Sequence, residues 1–327
     1  MRQMFFNGEV RLRAGWRLLC QFLLNSTGAS LVGLVVLAAS GGLVPGAPGG
    51  VSSPYPLALL YAGTALVATA SVWAAGRFLD RRPFSGFGLR LDRLWWSDLL
   101  FGLLLGGFLM TGVFLVQLAA GWVTVTGTFE AADGASFLPA ILAPAALFVC
   151  VGFYEELVSR GYQLTNLAEG LNGPGIGPKG AVVLAWVLSS AFFAALHLVN
   201  PNAGALSTLN IFLAGMMLGA GFVLTGQLAI PIGLHITWNF FQGNVFGFPV
   251  SGLDLPGATL LSTNPAGPTL LTGGPFGPEA GLLAPAAMAA GTLLIALRTR
   301  RRSGKTSLHT PLAESPTAKA SLHPEGN

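Results

Sequence analysis

Charge is what this chain has least of. Only 9% of its 327 residues are Asp, Glu, Lys or Arg, where a soluble globular domain carries about 25%. That shortage argues against a water-soluble fold. Cysteine is scarce too: Cys20 and Cys150 both lie in apolar blocks without the spacing of a zinc or redox motif, so no disulfide framework is implied. The sequence contains no His-Glu-x-x-His and no Gly-x-Ser-x-Gly, and neither cysteine has a histidine beside it, which leaves a nucleophilic triad with little support. The net charge of +4 does not indicate nucleic-acid binding, because the cations gather on no domain outside the apolar blocks.

What is present points to a membrane. Hydrophobic residues make up 52% of the chain, with 45 Gly and 21 Pro, and the mean hydropathy is +0.65. The apolar residues come in long blocks, and one helix needs about 20 of them to cross the hydrocarbon core. The expected fold is therefore all-α: a polytopic membrane protein, a bundle of about eight transmembrane helices. The spans fall at 18–44, 55–75, 99–120, 137–167, 181–198, 206–225, 229–248 and 280–297. The first runs too long before the Pro/Gly turn 44–54 for a cleavable signal peptide and reads as an uncleaved span. Segment 77–98, basic on one side and aromatic on the other, reads as interfacial. Residues 252–281 form a Pro/Gly-rich loop. The domain organisation is then a basic N-terminus (1–17), an eight-span membrane domain (18–297) and a polar tail (298–327) expected to be disordered. No internal repeat is evident.

Lys and Arg collect in cytoplasmic loops, whereas Asp and Glu carry little orientation information. With both termini cytoplasmic, the inside segments hold four (1–17), five (77–98), two (160–180) and six (298–327) of the 17 Lys and Arg, and the outside loops hold none. The cations then read as juxtamembrane anchors facing anionic lipid. The expected location is an integral membrane protein of a bacterial cytoplasmic membrane.

An ionisable group inside a span costs several kcal/mol on insertion scales and is a functional candidate by default. Those here are Glu155, Glu156 and Arg160 in the fourth span, His197 at the end of the fifth and His235 in the seventh. Glu156 and Arg160, four residues apart, share a helix face and explain each other as a salt bridge. Glu155 is turned about 100° away and is left spare, either as a general base or as a carboxylate facing headgroups. His197 shares a face with Phe193. His235 and Asn239 place two donors on one spot, for an oxyanion or for a helix-to-helix hydrogen bond. At about 1.5 Å per residue, Glu155 stands about 18 Å from one end of its span, His197 about 24 Å and Asn239 about 15 Å from theirs, so all can meet in one membrane layer.

Glu155-Glu156-x-x-x-Arg160, Phe193-x-x-x-His197 and His235-x-x-x-Asn239, in this order on three apolar segments within 137–250, resemble the three motifs of the CPBP family of intramembrane proteases. That family includes CAAX prenyl-endopeptidases and the Abi-like bacteriocin-processing and immunity proteins. The resemblance implies an endopeptidase acting on a membrane-associated peptide or protein, prenylated or not. It implies Glu155 as the base activating water, His197 helping to hold that water, His235 and Asn239 stabilising the oxyanion, and Glu156 with Arg160 shaping the site. The cofactor stays open: a metal-free glutamate mechanism is favoured, while His197, His235 and a carboxylate suit a three-ligand zinc site. Two other classes fit the same residues: a proton-coupled transporter, and a non-catalytic scaffold or immunity protein on the same fold.

Overall fold

The computed structural model describes residues 2–40, 54–131, 135–255 and 257–316. The protein is polytopic and mainly helical. Eight helices lie where the apolar blocks predict them: α1 (Ala14–Ala39), α2 (Pro54–Ala75), α3 (Arg93–Ala119), α4 (Phe137–Glu156), α5 (Gly177–Leu196), α6 (Ala205–Thr225), α7 (Ala229–Phe240) and α8 (Leu283–Ser303). Among the described residues six helical stretches are long and apolar enough to cross a membrane: Ala14–Ala39, Tyr55–Asp80, Arg93–Ala119, Phe137–Leu171, Gly177–Val199 and Ala205–Thr225. The other two expected spans differ from these. α7 has 12 residues before a π-helical turn, Phe241–Val245, and the last turns of α8 carry Arg298, Arg300, Arg301 and Arg302. The expected turn at 44–54 lies, all but its last residue, outside the described residues.

α3 shows how the sequence divides lipid from protein. Asp92 caps its start, its carboxylate accepting the Trp95 amide at 2.8 Å. Leu100, Leu104, Phe108 and Leu115 are exposed on one side, as suits a lipid-facing stripe. On the other, Gly102 and Gly106 are spaced as in Gly-x-x-x-Gly and lie against the α7 backbone at Ile230, Leu234 and Trp238, and Gly233 of α7 lies in turn against the backbone of Leu99, Gly102 and Leu103, so the two helices approach closely. Thr237 donates to the Leu103 carbonyl at 2.7 Å across this seam. On its other flank α7 meets Gly152 of α4, where an added Cβ would stand 3.0 Å from the Ile236 nitrogen. The helix carrying His235 and Asn239 is thus held between α3 and the helix carrying Glu155.

The helix ends form two unlike faces. On one, Arg17 binds Asp80 and Glu169, each at 2.8 Å, Arg82 binds Glu169 at 3.1 Å, and Tyr162 donates to Asp80 at 2.9 Å. Asp98 pairs with Arg298 and Arg302. Arg11, Arg17 and Arg82 are buried, which corrects their expected role as lipid anchors: they close one end of the bundle. Burial pushes the Arg82 guanidinium below its ordinary value, and Glu169 opposes that shift. The expected interfacial segment 77–98 is likewise only partly at an interface. Phe87, Leu89 and Trp95 enter the core, while Phe78, Leu91, Leu94 and Trp96 stay outside.

Residues 298–316 are not the disordered tail expected of them. α8 continues to Ser303, and the chain beyond it packs back: the His309 amide donates to the Val223 carbonyl at 2.7 Å, and Leu312 and Ala313 are buried against the cluster around Phe87, Tyr162 and Phe222. Residues 317–327 lie outside the described residues. At the opposite face two strands distant in sequence, β1 (Val123–Ala131) and β2 (Ala258–Pro265), run antiparallel with a bulge between Val125 and Gly127. The predicted fold contains no strand, so this small sheet is a departure from it.

Candidate active site

The fourth span does not end where α4 does. From Leu157 to Leu164 the chain takes a π-helical form, then a last turn, Thr165–Leu171. Such wide turns gather at functional sites because they re-aim side chains within a continuous helix. Glu156 and Arg160 straddle the junction and form the predicted salt bridge, Nη1 to Oε1, at 2.8 Å, with both side chains fully buried. Arg160 also donates to the Gly215 carbonyl at 3.1 Å and lies 4.4 Å over the Phe193 ring.

Glu155 is placed differently. Its side chain is 22% exposed, against none for Glu156, and what it faces is a cavity of about 330 Å³ rather than headgroups. His197, His235 and Asn239 line the same cavity. The Tyr154 hydroxyl donates to Glu155 at 3.2 Å. His235 Nδ1–H donates to the Glu156 carboxylate at 2.9 Å, which turns Nε2 toward Glu155, 3.9 Å away. That gap is too long for a direct hydrogen bond. His197 donates its Nδ1–H to the Phe193 carbonyl at 2.8 Å, so its Nε2 is the nitrogen left to accept. Phe193 lies against both imidazoles, with ring centroids 4.7 Å from His197 and 6.3 Å from His235.

The six residues singled out from sequence therefore divide into two layers. Glu155, His197, His235 and Asn239 border the cavity, and Glu156 with Arg160 lies behind it. Missing from that set are Tyr154 and Tyr61 beside Glu155, and the far wall. Asn200, Ser251, Leu253, Leu255 and Glu279 close the cavity on the side of the Pro/Gly-rich loop. Asn200 donates to the Ser251 carbonyl at 2.9 Å, and Glu279 accepts from the Ser251 amide and hydroxyl at 2.7 and 2.9 Å. Tyr154 adjoins a motif residue and could have been flagged. The loop residues lack any periodic or spacing signal.

Among the described residues no three His, Cys, Asp or Glu side chains gather as a metal site. The zinc arrangement of His197, His235 and a carboxylate is not assembled: each imidazole keeps Nε2 clear of protein acceptors, but the two do not gather with a carboxylate on one point. The residues as placed do not fit that metal.

Residues 136–241 match the family described as type II CAAX prenyl endopeptidase, Rce1-like. This stretch runs from the start of α4 to the end of α7 and includes all six candidate residues. The match agrees with the resemblance read from the three motifs, and at the level of class it supports an intramembrane endopeptidase. No curated protein and no solved structure matches the chain.

Proposed function

We propose that the chain hydrolyses a peptide bond of a membrane-associated polypeptide, using a water activated by Glu155. The observation that carries this reading is the division of two adjacent carboxylates: Glu156 is consumed by Arg160 and His235, while Glu155 faces the cavity with His235, His197 and Asn239 around it. Peptide hydrolysis needs a base for water, donors for the tetrahedral oxyanion and a proton for the leaving amine. Glu155 takes the proton from water as the oxygen attacks the scissile carbonyl, and later gives it to the departing nitrogen. His197 Nε2 accepts from the same water and fixes its direction.

His235 and Asn239 serve the oxyanion. With Nδ1 tied to Glu156, His235 can present only Nε2 to the cavity, and as an imidazolium it donates from there. Asn239 lies one turn on, and among the described residues no hydrogen bond occupies its amide, so its N–H groups are free to donate as well. Glu156 and Arg160 act through His235 and through Phe193, as positioning residues.

The test is Glu155→Gln, which keeps shape and polarity and removes basicity. Membranes holding the native chain and the variant are compared by proteomics for uncut precursors, and a precursor so found is then offered to both purified proteins. Loss of cleavage by at least 10²-fold, with an unchanged unfolding temperature, is expected. Native-rate cleavage by Glu155→Gln would refute the assignment of the base.

A further inference from the structure

A second concavity lies in the groove between the start of α3 and the end of α8, with a volume of about 440 Å³. Its make-up follows from helical periodicity. On α8, Leu294, Leu297, Arg298 and Arg301 fall at i, i+3, i+4 and i+7, a single stripe whose first two residues are apolar and whose last two are basic. On α3, Leu94 and Phe101 are seven residues apart on one face, and Asp98 stands between them. The two stripes meet through charge. Asp98 is buried and accepts from Nε and Nη2 of Arg298 at 3.4 and 3.3 Å, and it pairs with Arg302 as well. Arg298 also donates to the Ser97 hydroxyl at 2.7 Å and lies 5.4 Å over the Phe101 ring.

That arrangement leaves positive charge over. Two guanidiniums share one carboxylate, and Arg301 lines the groove with no hydrogen bond or ion pair among the described residues. An arginine carries five N–H donors in a fixed fork that suits phosphate oxygens, and Asp98 and Ser97 take only part of those on Arg298 and Arg302. The helical rise sets Leu297 and Leu294 about 6 and 10 Å back from Arg301 along α8. A free anion has no use for those apolar walls, and a hydrocarbon chain alone has no use for the arginines. We propose that the groove is a binding site for an anionic phospholipid, with its phosphate on Arg298, Arg301 and Arg302 and one acyl chain along Leu297, Leu294 and Phe101. Basic pockets between membrane helices hold anionic headgroups in this way. The site differs from the general attraction of surface cations for lipid, because buried Asp98 holds two of the arginines in place and because Arg300, on the same turn, does not line the groove. It is also independent of the cleavage reading, since α3 and α8 carry none of the six candidate residues.

The test uses the full chain purified in detergent, to which dioleoyl phosphatidylglycerol, dioleoyl phosphatidylcholine or inorganic phosphate is added. Native mass spectrometry counts the bound lipid, and thermal unfolding reports its effect. Phosphatidylglycerol should bind more than phosphatidylcholine by about fivefold or better and raise the unfolding temperature, and phosphate should not reproduce that rise. Arg301→Gln should lower phosphatidylglycerol binding by about fivefold. Without lipid its unfolding temperature should equal that of the native chain, because Arg301 has no partner to uncover. Arg300→Gln removes the same charge from an exposed, solvent-screened position outside the groove and should leave binding within about twofold of native. Leu297→Trp fills the groove at a position already 38% exposed, leaves the charge as it is, and should lower binding as Arg301→Gln does. Equal binding of the two lipids, or equal losses from Arg300→Gln and Arg301→Gln, would reduce the groove to general surface attraction and overturn the proposal. Native binding by Leu297→Trp would overturn it as well, since no acyl chain would then lie along the groove. Stabilisation by phosphate equal to that by phosphatidylglycerol would make this an anion site and not a lipid one.

Discussion

Two neighbouring glutamates end up in different chemistry because a helix turns by about 100° per residue. Glu156 points inward to Arg160 and His235, and Glu155 points to the cavity. Removing one member of a buried ion pair leaves the other charge without compensation, at a cost of about 3 to 5 kcal/mol. Arg160→Ala should therefore lower the unfolding temperature and the yield of folded protein in detergent along with activity. Unchanged thermal stability would show that the pair contributes nothing to the fold. His235 and Asn239 are expected to behave otherwise. Replacing Asn239 by Ala deletes one oxyanion donor and should lower kcat by about 10²- to 10³-fold with KM nearly unchanged. His235→Ala should do at least as much and also loosen Glu156, which loses its Nδ1 donor. If Asn239→Ala raised KM and left kcat intact, the amide would be holding substrate rather than the transition state.

At the scale of elements, the site depends on how closely α7 can lie against its neighbours. A Cβ on Gly233 would press on the Leu99 carbonyl oxygen and stand 2.7 Å from the Leu103 nitrogen, both backbone atoms of α3, whereas one on Gly112 of the same α3 would meet nothing within 4 Å. Gly233→Ala should thus force the helices apart, destabilising by about 1 to 3 kcal/mol and displacing His235 from Glu156. Gly112→Ala should be neutral or stabilising by up to about 1 kcal/mol. Thermal unfolding of the two variants checks this, and equal effects would mean that the α3–α7 seam is not a close approach. The same contrast explains what was legible beforehand. Glu156–Arg160 was readable because its partners are four residues apart on one helix, and the apolar blocks were readable from hydropathy. The Glu156–His235 bond joins residues 79 apart, and no local rule reports it. β1 pairs with a strand more than a hundred residues away, and its Thr-rich run between two apolar blocks resembles any polar connection until its partner is known.

For the molecule as a whole, the two ends of the bundle are built for different tasks. One end holds the cavity and the loop that walls it. The other is closed by buried ion pairs and by the chain after α8. The charge pattern put Arg17 and Arg82 at the membrane surface, because composition alone cannot show that Asp80 and Glu169 stand ready to receive them. It also left the segment after Lys305 as tail, since Leu308, Leu312 and Ala313 are too few to read as an element. Their burial argues that this segment stabilises the bundle without touching the chemistry. Ending the chain after Gly304 removes the His309–Val223 hydrogen bond and uncovers Phe87, Phe222 and their neighbours. Burying a single leucine contributes about 1.5 to 3 kcal/mol, so the shortened chain should unfold at a clearly lower temperature. Its cleavage rate per folded molecule, measured well below that temperature, should match the native chain, because the cavity lies at the opposite end. A shortened chain of native stability would show that residues 305–316 do not pack on the bundle. Native stability with lost activity would place them in substrate handling instead.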